Sequence, residues 1–352
     1  MNKQIPPLPP VYFNHLYVVL DDKTYRAIQG SDFLQIAFPG KEKRSTLTAA
    51  GETWSGTYFY CQDNYLEFFG SGNGPVTGVA SRGGHWQTGA QEGWAGLAFS
   101  IDQTGGAALV QNALRDAFGY EPFYELRQMR TGGQTINWFY NLKLGETLDL
   151  GTFDTWLMEY HPDIFNYKGI HLPTAGLLTR QAYLSPWNKE RDAEKENEAG
   201  PEDAESTGMD ASLGAPGSLG SHPIRKTESG SRTPARNFPR AVTWQSAFLA
   251  PPVFSRVIGA TLHMDQRPTR QFAKILGLLG YTKTTTNQGL ALSAHGFTLH
   301  ILPEASGPGG YRLSALRLAM SRPSVAPMTF VFAPGSKLVL NEDLTADWEF
   351  GL

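Results

Sequence analysis

Apolar and polar residues alternate along this chain in short β-like runs, interrupted by a few stretches with helical spacing. The run YFNHLYVVL predicts a strand, and DKTYRAIQGSDFLQIAF predicts a helix broken near Gly30. Strands follow around KRSTLTAA, TWSGTYFYC and NYLEFFG. The order then repeats. GLAFSID predicts a strand and GGAALVQNALRDAFGY a helix, with Leu109, Val110, Ala113, Leu114 and Ala117 on one face and Gly119 as its stop. Strands recur at EPFYELRQM, TINWFYNL and FDTWLMEYH, so both passes read βαβββ.

A third pass begins at VIGATLHMD. It continues through the helix RPTRQFAKILGLLGY, where Phe272, Ile275, Leu276 and Leu279 keep the spacing of a buried stripe. Its ending LLGY matches the AFGY that closes the earlier helix. Strands at GLALSAH, FTLHILP, YRLSALRLAM, TFVFA, SKLVLN and ADWEF complete the chain, and no helix precedes the last four. The fold class expected is α+β, built from repeated βαβββ modules.

The domain plan follows the composition. Residues 1–187 hold two paired modules, at about 11–70 and 95–165, with PTAGLLTRQAYLSPW as a connecting helix. Residues 188–238 are acidic and then rich in Gly, Ser and Pro, too poor in apolar surface to offset their conformational entropy, and predict a disordered linker. Residues 239–352 form a C-terminal domain.

Charge and cysteine content narrow the partners. Of the 352 residues, 18% are charged and the formal net charge is −3, without the concentrated basic face that nucleic acid or a membrane surface requires. One cysteine, Cys61, precludes an intramolecular disulfide framework and fits a reducing compartment. MNKQIPPLPP has no apolar core of a signal peptide, and no apolar run is long enough to span a bilayer. The expectation is a cytoplasmic protein.

The module order, a histidine in the first strand (FNHLYVVL) and NYLEFF closing the first module resemble the vicinal-oxygen-chelate superfamily of glyoxalases, bleomycin-resistance proteins and extradiol dioxygenases, in a glyoxalase-like branch of unassigned function. The resemblance covers most of residues 11–165 and, more loosely, 255–352. It implies that paired modules curl around a shared concavity, within one chain or across a homodimer. It also implies four metal-ligand positions. His15 matches the first, Glu67 the second and Glu159 the fourth; the third falls on Gly96 or Leu97, neither of them a ligand.

The residues themselves support part of this. Strand alternation places His15 with Phe13, Tyr17 and Val19, Glu67 with Tyr65 and Phe69, and Glu159 with Leu157 and His161. Buried carboxylates among apolar neighbours are costly without a cation, and a shared divalent metal would stabilise them. Zn²⁺, Mn²⁺, Fe²⁺ and Ni²⁺ all suit imidazole and carboxylate ligands. His161, two residues after Glu159, is a substitute for the missing ligand. His85, in RGGHWQTG, lies on a glycine-rich loop. His300 replaces Glu67 in the corresponding strand of the C-terminal region, and Glu349 takes the outward face there.

Two functions follow. The first is a metal-dependent lyase, isomerase or oxygenase acting on a small oxygen-rich metabolite: His15, Glu67, Glu159 and His161 hold the metal, Glu159 or Glu67 acts as base, and Tyr17, Tyr65, Phe69 and Trp156 line the pocket. The second is a metal-free protein that sequesters a flat or hydrophobic compound. It draws on the 12% aromatic content and the missing third ligand.

Overall fold

The computed structural model describes residues 8–73, 92–144, 153–172, 179–185, 252–303, 311–324 and 327–351. These lie in one compact unit made of Met1–Arg191 and Pro251–Leu352. The expected linker at 188–238 and His85 both fall outside the described residues.

The first half runs β1 (Val11–Leu20), α1 (Asp22–Gln29), α2 (Asp32–Ala37), β2 (Gly40–Leu47), β3 (Thr53–Tyr60) and β4 (Tyr65–Gly70). It continues with β5 (Ala95–Ile101), α3 (Gly106–Phe118), β6 (Tyr124–Thr131), β7 (Gln134–Lys143), β8 (Phe153–Tyr160) and α4 (Pro162–Tyr167). The second half runs β9 (Phe254–Met264), α5 (Gln266–Leu278), β10 (Thr282–Thr285), β11 (Leu290–Ala294) and β12 (Phe297–Pro303), then β13 (Tyr311–Met320), β14 (Met328–Val331), β15 (Ser336–Leu340) and β16 (Thr345–Phe350). The architecture is mixed α+β and rich in strands.

Two eight-stranded sheets result, ordered β2-β3-β4-β1-β5-β8-β7-β6 and β10-β11-β12-β9-β13-β16-β15-β14. In each, the two central strands are antiparallel, and each of them pairs in parallel or antiparallel fashion with the last strand of its own group of four. The first sheet curls until its edges meet. Thr48 of the loop after β2 bridges to Met129 of β6, Ala49 N–H donates to the Gln128 carbonyl, and Arg127 pairs with Glu52 at 2.9 Å. The result is a barrel closed along one seam by few bonds.

Local chemistry sets the helix ends. Asp21 accepts from the Lys23 and Thr24 amides to start α1, and Ser31 accepts from Leu34 to start α2. Gly119, at φ 73°, closes α3 in the left-handed region. The buried stripe of α3 is Ala107, Val110, Ala113 and Leu114, whereas Leu109 is 38% exposed and Ala117 is exposed. The stripe is thus rotated by about a residue from the sequence expectation, because Gly106 and Ala107 make the close approach to the sheet: a Cβ at Gly106 would lie 2.4 Å from Ile101.

The halves share one core. Phe13 stacks on Phe297 at 4.1 Å, Phe68 meets Trp348 at 5.0 Å, Phe38 meets Phe254 at 4.9 Å, and Phe153 meets Phe272 at 5.8 Å. Asn64 stitches them further, its amide donating to the Val257 carbonyl at 3.0 Å and accepting from the Val257 amide at 2.9 Å. The sequence reads as two separate domains; the structure packs both sheets around a continuous apolar interior. A second apolar cluster lines the inside of the barrel and is predominantly aromatic, with Tyr17, Tyr58, Tyr60, Tyr65, Phe69 and Tyr160 buried.

Candidate functional site

One irregularity decides where His15 points. The pairing of β1 with β5 shifts between Phe13 and His15, so Asn14 is the extra residue of a β-bulge. Phe13 therefore joins the core between the sheets, and His15 turns into the barrel with Tyr17 and Val19. Simple alternation had put Phe13 and His15 on one face.

Asn14 also orients the imidazole. Its Nδ2 donates to the Tyr160 hydroxyl at 3.3 Å, which leaves Oδ1 to accept from His15 Nδ1 at 2.8 Å. This assigns the proton to Nδ1 and leaves the Nε2 lone pair facing Glu67 Oε1 at 3.8 Å. The ring stacks on Tyr65, with centroids 4.3 Å apart, and meets Trp156 edge-on at 5.3 Å.

Glu67 reaches this point because β4 lies parallel to β1 in a register that sets it beside Tyr17. His15 is 4% and Glu67 8% exposed. Burial pushes the Glu67 carboxyl up to about 8, against the opposing effects of the Arg44 charge and the Tyr65 hydroxyl. Burial, reinforced by Arg44, pushes His15 down to about 3. At neutral pH the pair is an uncharged imidazole beside a predominantly protonated acid.

The third member is Arg44. Its guanidinium lies over the Tyr58 ring at 4.0 Å, and Nη1 donates to the Tyr60 hydroxyl at 3.2 Å. Tyr60 in turn donates to Glu42 Oε2 at 2.7 Å, an oxygen 3.8 Å from Arg44 Nη1. Arg44 Nε is buried and makes no hydrogen bond among the described residues. Trp54 donates from Nε1 to the Tyr58 hydroxyl at 3.1 Å, adding a half-buried ring beside it. Two further orphaned atoms, Ser100 Oγ and Asn141 Oδ1, flank Met158 in a neighbouring row of the sheet.

Sequence reasoning missed Arg44, Asn14, Tyr58 and Tyr60 as members of the site. The strand expected around KRSTLTAA runs instead over GKEKRSTL, and in that register Glu42 and Arg44 take alternate positions on one face. A charged pair at i, i+2 within a strand was the available signal.

Other predicted residues lie elsewhere. Glu159, 2% exposed, faces away from the barrel, and its two oxygens accept from the Gly105 and Ala107 amides at 2.7 and 2.9 Å. Gly105 has no side chain with which to cap α3, and Glu159 takes that role from the sheet below. His161 is the N-cap of α4, accepting from the Asp163 amide at 3.2 Å, and it does not share the face of His15. Tyr17, Tyr65, Phe69 and Trp156 do line the barrel. In the other sheet, His300 and Glu349 are exposed, the latter paired with Lys337 at 3.0 Å.

The empty third position is filled by rings. A Cβ at Gly96 would lie 2.4 Å from the Tyr17 ring and 2.9 Å from Trp156, while Leu97 points into the core between the sheets. From β5 and β8 the barrel receives Gly96, Ala98, Trp156 and Met158; Asp154 on the same face is held by Lys143 at 2.7 Å. Among the described residues a divalent metal would therefore find two protein donors, His15 Nε2 and Glu67, in the field of a guanidinium. Among the described residues no group of three or more His, Cys, Asp or Glu gathers to hold a metal. This donor set does not fit a protein-held metal ion.

Comparison with known proteins gives a family and no activity. Residues 13–195 match the model of a family of unknown function, DUF5829, and the chain belongs to that family. No curated protein matches it. Among solved structures it is similar to a hypothetical protein from Staphylococcus aureus, at 8% identity and TM-score 0.47, covering 91% of this chain and 95% of that one. It is similar also to a xylose isomerase-like TIM barrel/4-hydroxyphenylpyruvate dioxygenase fusion protein, at 10% identity and TM-score 0.37, covering 91% of this chain and 38% of that one. A third is BphC, a halotolerant catechol dioxygenase, at 8% identity and TM-score 0.35, covering 96% and 85%. At these values the likenesses assign no chemistry to this chain. No helix among the described residues is long and apolar enough to cross a membrane.

Proposed function

We propose that this member of the DUF5829 family binds a small organic molecule inside its N-terminal barrel, without a metal ion. The observation that carries the reading is the convergence of His15, Glu67 and Arg44 on one aromatic-walled face, with a buried Arg44 nitrogen that no group among the described residues satisfies. A pocket with a few convergent polar groups among aromatic side chains suits a small ligand. The 3.8 Å between His15 Nε2 and Glu67 Oε1 is too long for a hydrogen bond. A hydroxyl placed against both would accept from the protonated carboxyl and donate to the imidazole.

This reading favours the binding-protein alternative over metal-dependent catalysis. The module order still agrees with the vicinal-oxygen-chelate resemblance, but two of the four residues expected to hold the metal, Glu159 and His161, serve as helix caps. The test is a fragment screen on chelator-treated protein, read from the imidazole ¹⁵N resonances of His15. Saturable shifts at His15, weakened in Glu67→Ala and retained in Glu349→Gln, support binding in the barrel. A screen in which hits shift only residues outside the barrel, or no hit appears, defeats it.

A further inference from the structure

We infer that the ligand is a small organic anion, its charged group held by Arg44 and a flat apolar portion lying against the half-buried Trp54 and Trp156 rings. The inference rests on the binding reading above and names the chemistry of its ligand. Its basis is how Arg44 is held. Arg44 is half-buried, with its Nε fully withdrawn from solvent, and a buried donor is costly unless it is used. Here the Tyr58 face and the Tyr60 hydroxyl satisfy part of the group. The nearest acidic oxygen, Glu42 Oε2, is 3.8 Å away and already accepts from Tyr60, so no two-pronged pairing forms. Glu67, the other acid on this face, is directed to His15.

Nε is thus a buried donor left unused among the described residues, and an anionic oxygen is the partner that matches both the charge of the group and its geometry. A cationic ligand would meet repulsion at the same point. A neutral one would supply a hydrogen bond and leave the half-exposed Glu42, 3.8 Å from Nη1, to balance the charge by itself. The uncharged imidazole and acid next to it do not compete for the anion and can hold a neighbouring hydroxyl. On the apolar side, Trp54 is fixed by its bond to Tyr58, and Trp156 is fixed between His15 and the Lys143 ammonium, 5.3 Å above its ring.

Benzoate and benzamide differ in charge and little in shape, so they test the inference directly. Each is titrated into the chelator-treated full chain while the indole N–H resonances of Trp54 and Trp156 are followed. Benzoate should shift both saturably and bind at least tenfold more tightly than benzamide. Arg44→Gln should abolish that preference, and Arg44→Lys should retain part of it. Equal binding of the two probes, or a preference that survives Arg44→Gln, overturns the anion assignment. So does absence of benzoate binding. The His15 fragment screen then decides separately: neutral hits at His15 leave the binding reading standing, and a blank screen removes it as well.

Discussion

His15 Nε2 faces Glu67 Oε1 across 3.8 Å on two parallel strands, and neither group is charged at neutral pH. Both have paid for burial in their pKa values, in opposite directions, and this gives the fold a stability profile that can be read. The unfolded chain protonates His15 near 6.5, but the folded chain does so only near 3, so His15 lowers stability progressively as pH falls through that interval. Glu67 keeps its proton in the folded chain up to about 8, whereas the unfolded chain releases it near 4.5. Stability therefore falls as pH rises from 4.5 to 8. Glu67→Gln should flatten this second arm and gain on the order of 2–4 kcal/mol over the wild type above pH 8, measured by urea unfolding across pH. A steeper arm in the variant would contradict the burial assigned to Glu67.

Glu159 is predicted to matter for stability rather than for binding. Its carboxylate joins β8 to the first turn of α3 through two charge-assisted bonds. Glu159→Gln should cost about 1.5–3 kcal/mol, and Glu159→Ala more, because the buried Ala107 amide and the part-buried Gly105 bond lose their acceptor. Thermal unfolding measures the loss. Fragment-induced shifts at His15 should be unchanged at temperatures where the variant is folded.

Gly96 tests the packing of the barrel wall. A methyl group there would overlap Tyr17 and Trp156, so Gly96→Ala should destabilise by about 1–3 kcal/mol and shift the Trp156 indole resonance. Unchanged stability and spectra would mean that these rings do not occupy the third ligand position.

Trp348 tests the shared core. It is fully buried against Phe59 and Phe68 of the first sheet, with Nε1 bonded to Ser336 Oγ at 2.9 Å. Trp348→Ala should cost about 3–5 kcal/mol and lower the unfolding transition of both halves together. Two separate transitions, with only one shifted, would show that the halves are independent domains.

How far the sequence could be read follows from the range of the interactions involved. Short apolar runs and helical stripes revealed the strand and helix order, since both periodicities are local; His15 and Glu67 were legible as ionisable residues among apolar neighbours. Glu159 carries the same signature for a different reason. Its partners are amides 52 and 54 residues away, and nothing in FDTWLMEYH announces them. The bulge at Asn14 lies below the resolution of strand alternation, and the joining of the halves depends on aromatic contacts between segments far apart in the chain. Arg44 was overlooked because its strand was placed several residues late, which hid the alternation with Glu42.

On this proposal an organic ligand, and no protein-held metal, lies against His15 Nε2 and Glu67. The measurement that reaches it most directly is a Zn²⁺ titration of the chelator-stripped chain followed at the His15 imidazole nitrogens, in parallel with the best hit of the fragment screen. The fragment should move the Nε2 resonance saturably, while one equivalent of Zn²⁺ should leave it in place and not raise the melting temperature. A stoichiometric Zn²⁺ shift at Nε2, lost in Glu67→Gln and accompanied by thermal stabilisation, would contradict it.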